Sequence, residues 1–260
     1  MRTDQSSWPA RRAAHEARVD EWIVPHLQRR RRGEKHPVLD FLFTYYSLRP
    51  AQLRQWRPGG EAHRRPETVA WVRELLAATA ARPPHLGCFG LHEWAMVYRQ
   101  TQEQLRHNAW PLRLGAEGTD AVVEASRIRC SHFDAFRFYT APARSLNLLQ
   151  PTRETQAANE QPGCLHANMD LYKWSYKLSP LTPGELVADC FALAVDIRTL
   201  DMQASPYDLA ALGYPPVPIE TPDGRAEYTR RQRDLAERAA PLRAALIAVC
   251  DDALAQLSQV

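Results

Sequence analysis

Four stretches of this 260-residue chain set imidazoles and carboxylates among aromatic rings, the side chains that acid–base work, metal ligation and stacking draw on. They are 36–46 (HPVLDFLFTYY), 87–99 (GCFGLHEWAMVYR), 132–139 (HFDAFRFY) and 166–174 (HANMDLYKW). In the last, a helical period puts His166, Asp170 and Lys173 on one face and turns Asn168 and Tyr172 away. An imidazole, a carboxylate and an amine on one stripe are three members of a site, or else a salt-bridged solvent face. On a strand, His132 and Asp134 would point to the same side. Pooled, His92, Glu93, His132, Asp134, His166 and Asp170 make three imidazoles and three carboxylates, a donor set for one or two divalent ions of iron, manganese or zinc. Against that stands the absence of a Glu-x-x-His pair of the helical di-iron kind, and a histidine in an apolar segment also serves as a satisfied core residue.

The aromatic residues carry a second reading. Tyr45, Tyr46, Trp94, Tyr98, Phe136, Tyr172 and Trp174 flank these acids, with Arg99 beside them. Rings around a carboxylate suit a flat, cationic ligand held by stacking and cation–π attraction. Core packing explains the rings alone but not the interleaved acids. No phosphate-binding glycine loop, dinucleotide fingerprint, nucleophile elbow or His-Glu-x-x-His is present. Cys88, Cys130, Cys164, Cys190 and Cys250 include no Cys-x-x-Cys, and their odd number fits reduced thiols.

The elements that must hold these residues read as helices. Apolar positions at Val19, Trp22, Ile23 and Leu27 fit a helix over 9–31, and Val69, Val72, Leu75, Leu76 and Thr79 one over 66–82. Residues 91–107, 166–178, 183–203 and 222–258 are helical in composition, with Pro241 expected to end or kink the last. The alternation in 126–140 allows at most a short β-hairpin, and the five prolines of 205–222 an irregular connection. The expectation is a mainly α, compact single domain spanning 1–260, with a mobile loop at 57–66 (RPGGEAHRRP). At 45% hydrophobic and 24% charged residues the chain is no disordered polymer. No apolar run reaches the roughly 18 residues of a membrane span, and the first 22 residues lack a secretory apolar core, so a cytoplasmic protein without membrane contact is expected.

The net charge of +3 is unevenly spread. Residues 1–65 hold 14 bases against 7 acids, a surplus of +7, and the remainder holds 19 against 23, or −4. Arg29, Arg30, Arg31, Arg32, Arg49, Arg54, Arg57, Arg64 and Arg65 are therefore the phosphate-contacting candidates, although an arginine-rich GC-biased genome produces the same excess.

The segments HPVLDFLFTYYSLRPAQLRQW (36–56), GCFGLHEWAMVYR (87–99), IRCSHFDAFRFYTAPARSLN (128–147), CLHANMDLYKWSYKLSPL (164–181) and DIRTLDMQASPYDL (196–209) resemble a family of actinobacterial proteins that carry the name 3-methyladenine DNA glycosylase. The resemblance covers nearly the whole chain. It implies an N-glycosylase that excises alkylated purines from DNA without a cofactor. Such an enzyme must flip the base, stack it and read it, then steady an oxocarbenium ion with a carboxylate. Asp134 and Asp170 are first in line for that role and Asp40 third, with His166, Lys173 and Glu93 as further catalytic candidates. The glycines of a helix-hairpin-helix and the paired Cys and His of a zinc-binding glycosylase are both missing. Two readings stand beside it: a metal-dependent enzyme acting on a small molecule, and a non-catalytic nucleic-acid-binding helical module.

Overall fold

A computed structural model describes residues 7–63 and 65–257; Arg64 and the leader reading at residues 1–6 lie outside the described residues. The protein is mainly α, with twelve α-helices and no strand among the described residues, and none of these helices is long and apolar enough to cross a membrane. The helices form two compact units. The first comprises the residues up to Ala77, Met169–Val195 and those from Pro241 onward; the second comprises Ala78–Asn168 and Asp196–Ala240.

The first unit begins with α1 (Trp8–Arg31), which starts where Pro9 occupies a position that needs no N–H donor. Its inward stripe is His15, Val19, Ile23 and His26, spaced by one turn each, so two imidazoles enter the core with the aliphatic residues. Each makes a hydrogen bond there: His15 Nε2 meets Leu53 O at 2.9 Å and His26 Nδ1 meets Asp40 Oδ1 at 2.9 Å. Two short helices follow, α2 (Phe41–Tyr45) and α3 (Pro50–Arg54), then α4 (Pro66–Ala80). Phe191 is the hub of this core, with ring centres of Tyr172, Trp22 and Phe43 at 4.9, 5.0 and 5.2 Å. The stretch 57–66 is tied down by Gly60 N–H to Leu181 O at 2.8 Å and by His63 Nε2 to Lys177 O at 3.0 Å.

The second unit holds α5 (Leu91–Ala95), α6 (Gly115–Glu124) and three single-turn helices, α7 (Phe133–Phe136), α8 (Ala141–Arg144) and α9 (Gln156–Asn159). The helices α10 (Leu165–Lys177), α11 (Gly184–Gln203) and α12 (Pro222–Leu257) each supply residues to both units. One sequence expectation needs correcting here, and two that were left open are decided further. The helix over 91–107 stops at Ala95, because Arg99 takes a left-handed backbone (φ 55°) and gives its N–H to Asp120 Oδ1 at 2.8 Å. The segment 126–140 forms no hairpin: the Asn147 side chain accepts from Cys130 N at 2.7 Å and donates to Cys130 O at 2.9 Å, taking the bonds a partner strand would make. His132 and Asp134 therefore do not share a strand face. Pro241 does not end α12; it and Glu237, whose carbonyl it leaves unbonded, are exposed, so water can satisfy that oxygen.

Candidate metal centre

Two backbone devices in the second unit aim the polar side chains. Before α5, Phe89 (φ 50°) and Gly90 (φ 68°) take successive left-handed conformations. Strain of this kind in a non-glycine residue persists only where surrounding packing enforces it. At Gly90 a Cβ would stand 3.4 Å from the Ala204 Cβ and 3.5 Å from the Tyr228 ring, so glycine allows both the turn and the close approach. The Trp94 indole donates to Ala204 O at 2.8 Å and fixes the rotation of α5, which turns His92 and Glu93 inward. Before α10, Gly163 comes so near His85 that a Cβ would lie 2.8 Å from its carbonyl oxygen, and His166 follows one turn later.

His92 of α5, His166 of α10 and Asp201 of α11 converge, each offering a ligand atom within 4.8 Å of the others, and all three are buried. His92 Nε2 meets Asp201 Oδ1 at 2.7 Å, and the His92 and His166 ring centres are 4.4 Å apart, edge to face. Arg198, one turn before Asp201 and 1% exposed, donates through Nη1 to Asp201 Oδ2 at 2.8 Å and to Glu93 Oε1 at 2.7 Å. The other His92 nitrogen, Nδ1, faces the Cys88 sulfur at 3.8 Å. His132 Nε2 lies 3.3 Å from Glu160 Oε1, both buried, and its ring centre is 5.4 Å from that of His166.

The electrostatics follow from burial. Dehydration alone would depress the His92 pKa, but the Asp201 carboxylate at hydrogen-bond distance more than reverses this and holds it well above the ordinary imidazole value. Burial pushes Asp201 upward, yet His92, His166 and Arg198 together keep it far below the usual carboxylate range. His107 is dehydrated beside the Arg198 and Arg106 guanidiniums, and its pKa falls to about 3. Of Glu93, Asp201 and Arg198, two are anions and one is a cation, so this buried group calls for one further positive charge. A proton on His92 supplies it.

The other residues singled out in the sequence go to several places. In the first unit, Tyr46 Oη donates to Asp170 Oδ1 at 2.8 Å and Lys173 Nζ to Asp170 Oδ2 at 2.7 Å. Burial first, then the Asp170 charge, raises the Tyr46 pKa, so this phenol remains a donor. Tyr45 and Tyr172 stand edge to face with Tyr46, and Lys173 lies over the Trp174 ring at 4.4 Å. In the second unit, Asp134 is paired with Arg137 at 3.1 Å and is not among the three converging ligands. Tyr98 donates to Glu124 at 2.7 Å, Arg99 reaches the same carboxylate at 3.1 Å, and Phe136 packs on Tyr139. Of the arginines, Arg29 is held by Asp40, Arg54 by Asp20 and Glu16, and Arg32 by Glu34. Arg57 lines an open cavity, while Arg30 and Arg31 are exposed at the end of α1.

Sequence reasoning passed over Asp201, Arg198 and Glu160. Arg198 and Asp201 had a legible signal, an Arg-x-x-Asp pair inside the apolar run FALAVDIRTLDM, where an unpaired charge would be costly. Glu160 had none. No family model, no curated protein and no solved structure matches the chain.

Proposed function

We propose that the protein is a metal-dependent enzyme acting on a small molecule, with His92, His166 and Asp201 as the protein ligands of a divalent cation. The observation that carries this reading is the convergence of two imidazoles and one carboxylate, all buried, within 4.8 Å. Two histidines and a carboxylate are the donor set of mononuclear iron(II) sites, and manganese or zinc accepts the same ligands. The surroundings fit as well. Arg198 holds Asp201 Oδ2 and leaves Oδ1 toward the imidazoles, while the Cys88 sulfur is placed to accept a hydrogen from His92 Nδ1 and so expose Nε2 as a ligand.

A cation bound there supplies Lewis-acid polarisation of a substrate oxygen or of water. The chain's own part is to orient and to keep charge in balance. Arg198 bridges Glu93 and Asp201, so the carboxylate presented to the imidazoles cannot swing away. His92 must give up its proton before it can ligate, so binding releases a proton and weakens as the pH falls.

The deciding measurement is metal content after mild purification, followed by titration of the chelator-stripped protein with iron(II), manganese(II) and zinc(II). At least one equivalent is expected to bind, and Asp201→Asn and His92→Gln are expected to lose one. Failure to bind any of the three above the level of those variants overturns the proposal.

A second reading is supported by the first unit, where Asp170 lies among Tyr45, Tyr46, Tyr172 and Trp174 with Lys173 on its other oxygen. This is the carboxylate-in-aromatics arrangement that excision of an alkylated purine requires, the activity implied by the resemblance. It ranks second because Arg29, Arg32 and Arg54, three of the arginines it needs for phosphates, already hold carboxylates. Release of 3-methyladenine from methylated DNA, abolished by Asp170→Asn, is its expected signature; no release from metal-free or metal-loaded protein overturns it.

A further inference from the structure

The first unit contains an open cavity of about 660 Å³ between residues 57–63 and Arg65, the start of α4, the end of α10 and the turn at Ser179-Pro180. Its cations lack carboxylate partners among the described residues, as do Arg30, Arg31, Lys35 and Arg49 elsewhere in this unit, whereas other arginines have them. Arg11, Arg18, Arg29, Arg54 and Arg73 each hold a carboxylate. Arg57, Arg65 and Lys177 line the cavity, and none of them forms an ion pair among the described residues. Among the described residues Glu61 is the one acid in the lining, which leaves a formal surplus of two positive charges there, and Thr68 and Ser179 add hydroxyl donors. The wall is built rather than incidental. His63 Nδ1 stands 3.1 Å from the Arg65 amide nitrogen and 3.0 Å from the Arg65 carbonyl oxygen, and Nε2 donates to Lys177 O at 3.0 Å. One imidazole thus joins the two segments that carry Arg65 and Lys177.

We infer that this cavity binds a small phosphomonoester. A phosphomonoester carries close to two negative charges at neutral pH and offers three acceptor oxygens. That matches the surplus of two cations, and a guanidinium fork engages phosphate oxygens in pairs. The volume lies in the range of small-ligand sites. A phosphodiester, with one charge, leaves half of the surplus unmatched, so the cavity selects the monoester over a nucleic-acid backbone.

The test is calorimetric titration of the full chain, stripped of metal with chelator so that phosphate cannot bind through a cation. Glycerol 3-phosphate serves as the monoester, dimethyl phosphate as the diester and a short DNA duplex as the polymeric backbone. Saturable monoester binding with Kd below about 1 mM is expected, at least tenfold tighter than the diester. Lys177→Gln and Arg65→Gln, both exposed side chains, are each expected to weaken it about fivefold or more, while Arg12→Gln outside the cavity leaves it unchanged. The inference fails if monoester and diester bind equally, if neither saturates, or if the duplex binds and the monoester does not compete. Because the stripped protein is used, these outcomes are independent of the proposed metal centre.

Discussion

Replacing Arg198 by Met and, separately, Asp201 by Asn tests the charge balance at the buried centre. In the metal-free protein the Glu93 and Asp201 anions face the Arg198 and protonated His92 cations, and His166 adds positive potential at Asp201. Arg198→Met removes a guanidinium that bonds Glu93 at 2.7 Å and Asp201 at 2.8 Å, leaving two carboxylates to share one imidazolium. Breaking a buried pair in this way costs about 3–5 kcal/mol. Asp201→Asn is gentler, because the carboxylate that raises His92 disappears and the imidazole can turn neutral, which restores the balance around the remaining Glu93–Arg198 pair. Its cost is the lost charge-assisted hydrogen bonds, about 1–3 kcal/mol. Adding metal reverses the relation. At a hundredfold excess over Kd a ligand stabilises by about 2.7 kcal/mol. Arg198→Met, now one charge more negative, gains at least as much as the wild-type protein, and Asp201→Asn gains almost nothing. Urea unfolding with and without chelator measures both quantities. If Asp201→Asn costs more than Arg198→Met in chelator, the charge count is wrong; if it keeps the full metal gain, Asp201 is not a ligand.

Three further outcomes are expected. The His107 pKa is near 3 when folded and about 6.5 when unfolded, so the folded state binds fewer protons; its contribution is complete above pH 6.5 and is lost as pH falls toward 3. Between pH 6.5 and 5 this lowers stability by roughly 1–2 kcal/mol at about 1.4 kcal/mol per unit, and His107→Gln should flatten urea midpoints in that window, the lowered His36 and His85 leaving a residual slope of the same sign. His92 adds no slope there, since a raised imidazole pKa gives a contribution already complete below 6.5 and lost only above it. Gly90→Ala places a Cβ 3.4 Å from Ala204 in a left-handed backbone, costing about 1–2 kcal/mol and weakening metal affinity through the displaced His92; thermal melts and metal titration check both. Metal affinity itself should fall on acidification, with proton release visible as a buffer-dependent enthalpy in calorimetry.

The helices over 8–31, 66–80, 165–177, 184–203 and 222–257 were legible because a helix is specified by a period that recurs within a few residues. Val19 and Ile23, or Val69 and Val72, announce a buried stripe without reference to the rest of the chain. The misreadings arose where a distant polar group intervened: Asp120 captures the Arg99 N–H and ends a helix, and Asn147 replaces a strand partner at Cys130. The same division holds at the centre. His92, Glu93 and His166 stood out as polar residues in apolar segments. Their association with Asp201 and Arg198 spans 109 and 105 positions for the His92–Asp201 and Glu93–Arg198 bonds, beyond the reach of any local pattern. The uneven charge was visible in the composition, but which arginines keep their charge for a ligand was not. Arg29 and Arg54 are neutralised by carboxylates, while Arg57, Arg65 and Lys177 line a cavity with no ion pair among the described residues. Residue types and periods therefore determined that the chain is helical and which side chains could act. Tertiary structure alone decided which of them meet, because burial and a partner's distance set whether an imidazole holds a proton, ligates a cation or only fills a core.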